Sequence, residues 1–182
     1  MPVHLRPWSP DDASALLVAR RSSADLDPQF AGTDIHDELA ATDYISTVLP
    51  FGERAKHWAV VQDGVAVGNV GLTAIEMRHR TAWVSYWLAP GARGHGSASR
   101  AVRAVAAWAF DAGLFRLELG HRVNNPASCR VATAAGFVAE GVERQKLLYG
   151  AERFDVETHA RLASDPAPVT PGLPMRWPHR AG

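Results

Sequence analysis

Apolar and polar residues recur along this chain with two different periods, and the switch between them divides it. Ala13, Leu16 and Leu17, then Ile35, Leu39, Ile45 and Leu49, follow helical spacing. Ser9, Pro10, Asp11 and Asp12 place an N-cap, a proline and first-turn acids ahead of the first set, and Pro50 ends the second. The pattern predicts a short strand over residues 4–8, then two helices joined by a polar linker. From His57 the period falls to two. Trp58 to Val61 and Val65 to Ile75 are rich in β-branched residues and flank Gln62, Asp63 and Gly64, a hairpin turn signal. Thr81 to Leu88 alternates as well, with Trp83, Ser85 and Trp87 on one face and Ala82, Val84, Tyr86 and Leu88 on the other. These segments predict a meander of three antiparallel strands.

The helical period returns at Ser97 and runs to Ala112, closed by Gly113, with Ala98, Ala101, Val102, Val105 and Ala109 as the expected buried stripe. Leu114 to Leu119 reads as a strand. Asn125 and Pro126 then cap a helix that runs to Ala135 and stops at Gly136. Two final strands are expected, Phe137 to Glu140 extending towards Tyr149, and Phe154 to Leu162, with a turn from Tyr149 to Glu152 between them. Residues 164–182 hold five prolines and little periodicity, which predicts a tail outside the core and a folded domain over 1–163. No internal repeat is present.

Composition narrows the class. A chain of 182 residues, 47% hydrophobic, can build one core without staples. Nineteen basic and nineteen acidic residues give a formal charge of zero, so no overall field favours nucleic acid or an anionic membrane. Neither partner is expected. Cys129 is the single cysteine, which excludes an internal disulfide and fits a reducing, cytoplasmic setting. Residues 1–9 contain no apolar run of the signal-peptide kind, and no stretch approaches a membrane span. The eight histidines form no H-E-x-x-H and no closely spaced pair, so no metal site is expected.

The chemistry-bearing segment is Arg93, Gly94, His95, Gly96, Ser97, Ala98. Glycines between a strand and a helix permit close backbone approach, and the unpaired N–H groups of a first helical turn attract an anion. Arg93 can add a charge-assisted bond. The segment therefore reads as a phosphate cradle, or else as an ordinary strand-to-helix turn. A dinucleotide fingerprint would place an acid near Glu118, but Ser99 occupies the third glycine position and the motif follows a meander where that fold opens a βαβ unit.

In this context the chain resembles the GNAT superfamily of acyl-CoA N-acyltransferases. Arg93 to Ala98 is similar to its R/Q-x-x-G-x-G/A signature, preceded by Val84 to Pro90 and followed by Asn125, Pro126, Ala127, Ser128 and then Gly136 to Gly141. The resemblance covers roughly residues 2–162 and is nearest to the subgroup that acetylates the N-termini of ribosomal proteins. It implies an α/β fold with a mixed, mostly antiparallel seven-stranded sheet and about four helices. It further implies acetyl-CoA as co-substrate and a primary amine, of a protein N-terminus or a small molecule, as acceptor. Coenzyme A would be held by Trp87, Leu88 and Ala89 through their backbone, by Arg93, Gly94, His95, Gly96, Ser97 and Ala98, and by Asn125. Asn125 is equally explained as a helix cap. Ser128 is the implied general acid for the leaving thiolate, and Glu76 the candidate base. The subgroup is often dimeric. Lys146 and Leu147 stand where some ribosomal enzymes carry an acid, and the family's frequent catalytic tyrosine on the fourth helix has no counterpart, so the acceptor stays open, as does acetyl against succinyl. His121, following the fifth strand, could assist as a base but reads rather as ending the strand, and Cys129 reads as helix packing. A non-catalytic acyl-CoA sensor is the alternative from another class.

Overall fold

The computed structural model describes residues 2–30 and 32–177. Strand β1 (Val3–Pro7) leads through Ser9 into a turn of 3-10 helix and then α1 (Ala13–Arg21). Ser9 and Asp12 form a capping box there, and Arg6 grips the Asp12 carboxylate with both guanidinium nitrogens at 2.6 and 2.7 Å, tying strand to helix. Helix α2 (Glu38–Val48) is capped by the Asp37 side chain. Its buried residues are Ala41, Tyr44 and Ile45, whereas Leu39, expected inside, is 78% exposed. The apolar residue facing inward at that end is Ile35, which precedes the helix.

The meander is present as β2 (Lys56–Gln62), β3 (Val65–Glu76) and β4 (Thr81–Leu88). Gln62 pairs with Val65, and Asp63 and Gly64 both take positive φ (50° and 85°), as a two-residue hairpin turn of matching twist requires. Then come α3 (Ser97–Asp111), β5 (Arg116–Arg122), α4 (Pro126–Ala134), β6 (Val138–Tyr149) and β7 (Glu152–Leu162). The sheet order is β1-β2-β3-β4-β5-β7-β6. All neighbours are antiparallel except β4 and β5. Seven strands and four α-helices match the expected α/β class. Ala98 is only half-buried, and the apolar face of α3 is built from Ala101, Val102, Ala104, Val105, Ala106 and Ala109. That face packs on one side of the sheet with Leu5, Trp58, Val70, Leu72 and Leu117. On the other side α1 and α2 bury Leu16, Phe30, Tyr44 and Ile45 against Ala59, Val61 and Trp87. No described helix is long and apolar enough to cross a membrane.

The C-terminal segment corrects the expectation of a tail outside the core. Leu173 is buried among the α3 side of the core, and Gly172 lies so close to α3 that a Cβ would stand 2.7 Å from the Ala104 backbone. Leu5 N–H donates to the Pro174 carbonyl and Arg176 N–H to the Leu5 carbonyl, at 2.8 and 2.7 Å. The free edge of β1 is thereby covered in parallel by residues 174–176. The prolines were read as marking a tail outside the core, but they fit an edge where few donors are needed. The end of that stretch, 178–182, lies outside the described residues.

A buried polar chain crosses the sheet near β1. The Trp8 indole N–H donates to Asn69 Oδ1 at 2.9 Å, and Asn69 Nδ2 lies 3.3 Å from His57 Nδ1. Burial pushes the His57 imidazole down to about 4. Above pH 6.5 the ring is neutral in both folded and unfolded chains. Below that pH the unfolded chain takes up a proton that the folded chain refuses until about pH 4. Stability is therefore expected to fall by up to about 3 kcal/mol as pH drops through this window. Urea unfolding at pH 7 and pH 4.5 checks this, and a His57→Asn variant should lose most of the pH slope.

Candidate active site

Strands β4 and β5 stay paired for only three residues each, Thr81 to Trp83 against Arg116 to Glu118. Beyond that point they diverge, and a cavity of about 660 Å³ opens between them. Its walls include Trp83, Tyr86, Trp87 and Leu88 from β4, Leu119 to Arg122 from β5, the start of α3, and Asn125, Ala127 and Ser128 at the start of α4. A parallel pair that splays apart exposes backbone polar groups on facing edges, which is where an extended polar ligand arm can bond.

The loop from Arg93 to Gly96 delivers α3 to the mouth of this cleft. Gly94 and Gly96 take φ of 82° and 73°, left-handed values that a side chain resists, and an added Cβ at either would meet nothing within 4 Å. Gly96 is the N-cap and offers no side chain, so the first-turn N–H groups of α3 are left to an external anion. Arg93 behaves differently from the expectation of a free phosphate ligand. Its Nε donates to the Leu88 carbonyl at 2.8 Å and its guanidinium pairs with Asp25 at 2.6 Å, so it braces the end of β4 and the segment before α2. The Ala89 amide, read as free for the ligand, donates to Val67 on β3 at 2.8 Å.

At the other end of the cleft the Asn125 side chain accepts from the Ser128 amide at 3.1 Å, capping α4. Ser128 is half-buried, and its side chain lies within hydrogen-bonding reach of the Tyr86 phenol. The Tyr86 hydroxyl donates to the Ser128 carbonyl at 3.4 Å, and burial raises its phenol above the usual range, which keeps it protonated. Of the residues named from sequence, Trp87, Leu88, Arg93, Gly94, Gly96, Ser97, Ala98, Asn125 and Ser128 line this one cavity. Ala89, His95 and Glu76 are not among its lining residues. Glu76 turns its carboxylate onto the amides of Arg78 and His79 at 2.5 and 2.8 Å, and these bonds hold it below the usual carboxylate range.

Tyr86 and His121 also line the cavity, and neither was named as a site residue from sequence. Tyr86 was assigned only to the alternating pattern of its strand. His121 was expected to end β5, yet it lies inside the strand, is buried, and faces His159 of β7. Thirty-eight residues separate the two histidines, so no local spacing reveals the pair.

Residues 3–138 match the family model of the acetyltransferase (GNAT) domain. The ribosomal-protein-serine acetyltransferase of Escherichia coli (strain K12) is 31% identical over 136 residues, covering 74% of this chain and 75% of that protein. Among solved structures, Mycobacterium smegmatis RimJ in complex with CoA-disulfide superposes with a TM-score of 0.77 at 25% identity, over 88% of this chain and 82% of the other. The microcin self-immunity acetyltransferase MccE, bound to acetyl-CoA and AMP, gives 0.77 at 19% identity, over 88% and 92%. A sheet split between β4 and β5, with a glycine-capped helix at its mouth, defines an acyl-CoA-dependent N-acetyltransferase. The chain belongs to the GNAT family, and acetyl-CoA is its co-substrate.

Proposed function

We propose that this enzyme acetylates the α-amine at the N-terminus of a peptide or protein, by direct attack of the neutral amine on the thioester of acetyl-CoA. The observation that carries this reading is the charge of the cavity wall. Its one lining carboxylate, Asp25, is paired with Arg93, while Arg122 and Arg130 also line it. A polyamine acceptor would need unpaired carboxylates there, and a lysine acceptor, with pKa near 10.4, would need a strong base. An α-amine with pKa about 8 needs neither. Similarity to an enzyme named as a ribosomal-protein-serine acetyltransferase supports a protein acceptor.

In the proposed step the amine nitrogen bonds to the thioester carbon and the C–S bond breaks. The amine proton leaves to solvent, and the departing thiolate takes a proton from the Ser128 hydroxyl, which regains one from solvent, so that the amide and the free CoA thiol are the products. The first-turn amides of α3 would hold the pyrophosphate of the co-substrate, and Asn125 would fix the α4 turn that carries Ser128. Tyr86 would steady that turn through the Ser128 carbonyl.

Thiol release from acetyl-CoA tests the reading, with N-terminal serine and alanine peptides, N-blocked lysine peptides and spermidine as acceptors. Turnover is expected with the free α-amine peptides. Turnover confined to spermidine or to lysine side chains would overturn the acceptor, and no release with any amine would favour a non-catalytic acyl-CoA-binding protein. Ser128→Ala is expected to lower kcat about a hundredfold with acetyl-CoA affinity retained. An unchanged kcat would move the acid role to Tyr86.

A further inference from the structure

Behind the α4 turn lies a cluster that no step of acetyl transfer uses. Register places His121 of β5 opposite Glu157 of β7 and Leu119 opposite His159, and α4 lays Cys129 over the same spot. His121 and His159 are 6% and 3% exposed. Their Nε2 atoms stand 3.0 Å apart, His159 Nε2 is 3.0 Å from Glu157 Oε2, and His121 Nε2 is 3.3 Å from the same oxygen. Cys129 Sγ completes a set whose four ligand atoms all lie within 4.8 Å of one another.

These contacts cannot all be hydrogen bonds between neutral rings and a carboxylate. His121 Nδ1 lies 3.0 Å from the Arg122 carbonyl, so its N–H points there and its Nε2 presents a lone pair to the cluster. A carboxylate oxygen only accepts. His121 Nε2 and Glu157 Oε2 therefore meet lone pair to lone pair, and one proton on His159 Nε2 serves two acceptors. Positive charge at the centre of the three atoms would relieve this. Zinc bonds of about 2.0–2.2 Å to nitrogen and oxygen, set tetrahedrally, give ligand-to-ligand edges of about 3.3–3.5 Å. The three observed edges fall within a few tenths of an ångström of that. The carbonyl behind His121 is the usual orienting partner of a metal-bound imidazole.

We propose that His121 Nε2, His159 Nε2, Glu157 Oε2 and Cys129 Sγ form a site for a divalent cation of the zinc type, clamping α4 onto β5 and β7. The two-nitrogen, one-oxygen, one-sulfur set suits zinc or cobalt and disfavours magnesium and calcium. Binding displaces the Cys129 thiol proton to solvent and leaves His159 with its proton on Nδ1, an atom that has no partner among the described residues. The ion sits beside Ser128, whose neighbour it holds, and takes no part in moving the acetyl group.

The test uses the full chain, stripped by dialysis against a chelator and titrated first with Co²⁺ and then with Zn²⁺. One equivalent of cobalt is expected to give the intense visible bands of tetrahedral geometry together with a thiolate-to-cobalt charge-transfer band in the near ultraviolet, both erased by one equivalent of zinc. Cys129 is the only cysteine, so that band has a single possible source. Cys129→Ser should keep the visible bands and lose the charge-transfer band, and His159→Ala should weaken zinc binding at least about tenfold. Thermal stabilisation of each variant by acetyl-CoA reports that it is folded; if His159→Ala is not, the Cys129→Ser spectrum decides. No stoichiometric cobalt binding, or only the weak spectrum of an octahedral ion, would overturn the proposal and leave a cluster that merely shares a proton.

Discussion

Leu173→Ala is expected to destabilise the folded chain by about 2–5 kcal/mol, the range for a leucine truncated in a packed core. The residue is 4% exposed and belongs to the same cluster as Leu5, Val102 and Val105. Its loss leaves a cavity between the C-terminal segment and α3. That space cannot collapse freely, because Gly172 already touches the Ala104 backbone and the Leu5 bonds to Pro174 and Arg176 fix the segment on either side. Val169→Ala, a few residues upstream and 102% exposed, is the matched control and should change stability by less than about 0.5 kcal/mol. Urea denaturation of the two variants checks both values. A Leu173→Ala variant as stable as its control would mean that the segment detaches in solution and that the core closes without it.

That segment also shows where sequence periodicity stops being informative. Strands and helices were legible because their apolar residues repeat: the meander from Lys56 to Leu88 follows from alternation and the Asp63-Gly64 turn, and α3 from its stripe of alanine and valine. The C-terminal segment has no repeat to read. It is held by contacts far apart in the chain, among them the Leu173 side chain, the close approach of Gly172 to α3, a backbone bond from Leu173 to Arg100 and two to a strand more than 160 residues earlier. The site divides in the same way. The cradle was legible because its two glycines lie one residue apart just before a helix, and Asn125 because capping is local. Arg93 was given a ligand role because its partner, Asp25, lies 68 residues away and only the fold reveals the pair. Glu76 was named because the resembling subgroup carries a glutamate at that position, yet a bulge after Thr73 and the turn amides of Arg78 and His79 decide where its carboxylate points. Long-range pairing of β5 with β7 likewise creates the His121 and His159 contact out of two residues that look unremarkable separately.

Gly96→Glu is expected to weaken acetyl-CoA binding at least about a hundredfold while leaving the chain folded. Two costs have to be weighed. The first is local: a side chain at φ of 73° is strained by about 1–2 kcal/mol, but the added Cβ meets nothing within 4 Å, so no packing is lost. A domain with a core on both faces of its sheet tolerates that. The second falls on the ligand. The carboxylate sits at the N-cap of α3, where the helix dipole and first-turn amides would otherwise receive the pyrophosphate, and it can bond to those amides itself. The anion then meets a like charge and loses its donors together. Gly96→Ala separates the terms, since it carries the same backbone strain without charge and should lose far less affinity. Calorimetric titration of both variants with acetyl-CoA, alongside their melting temperatures, reads each cost independently. Equal affinities in Gly96→Glu and the unaltered chain would remove the cradle from the first turn of α3 and leave the β4 edge and Asn125 to carry the co-substrate.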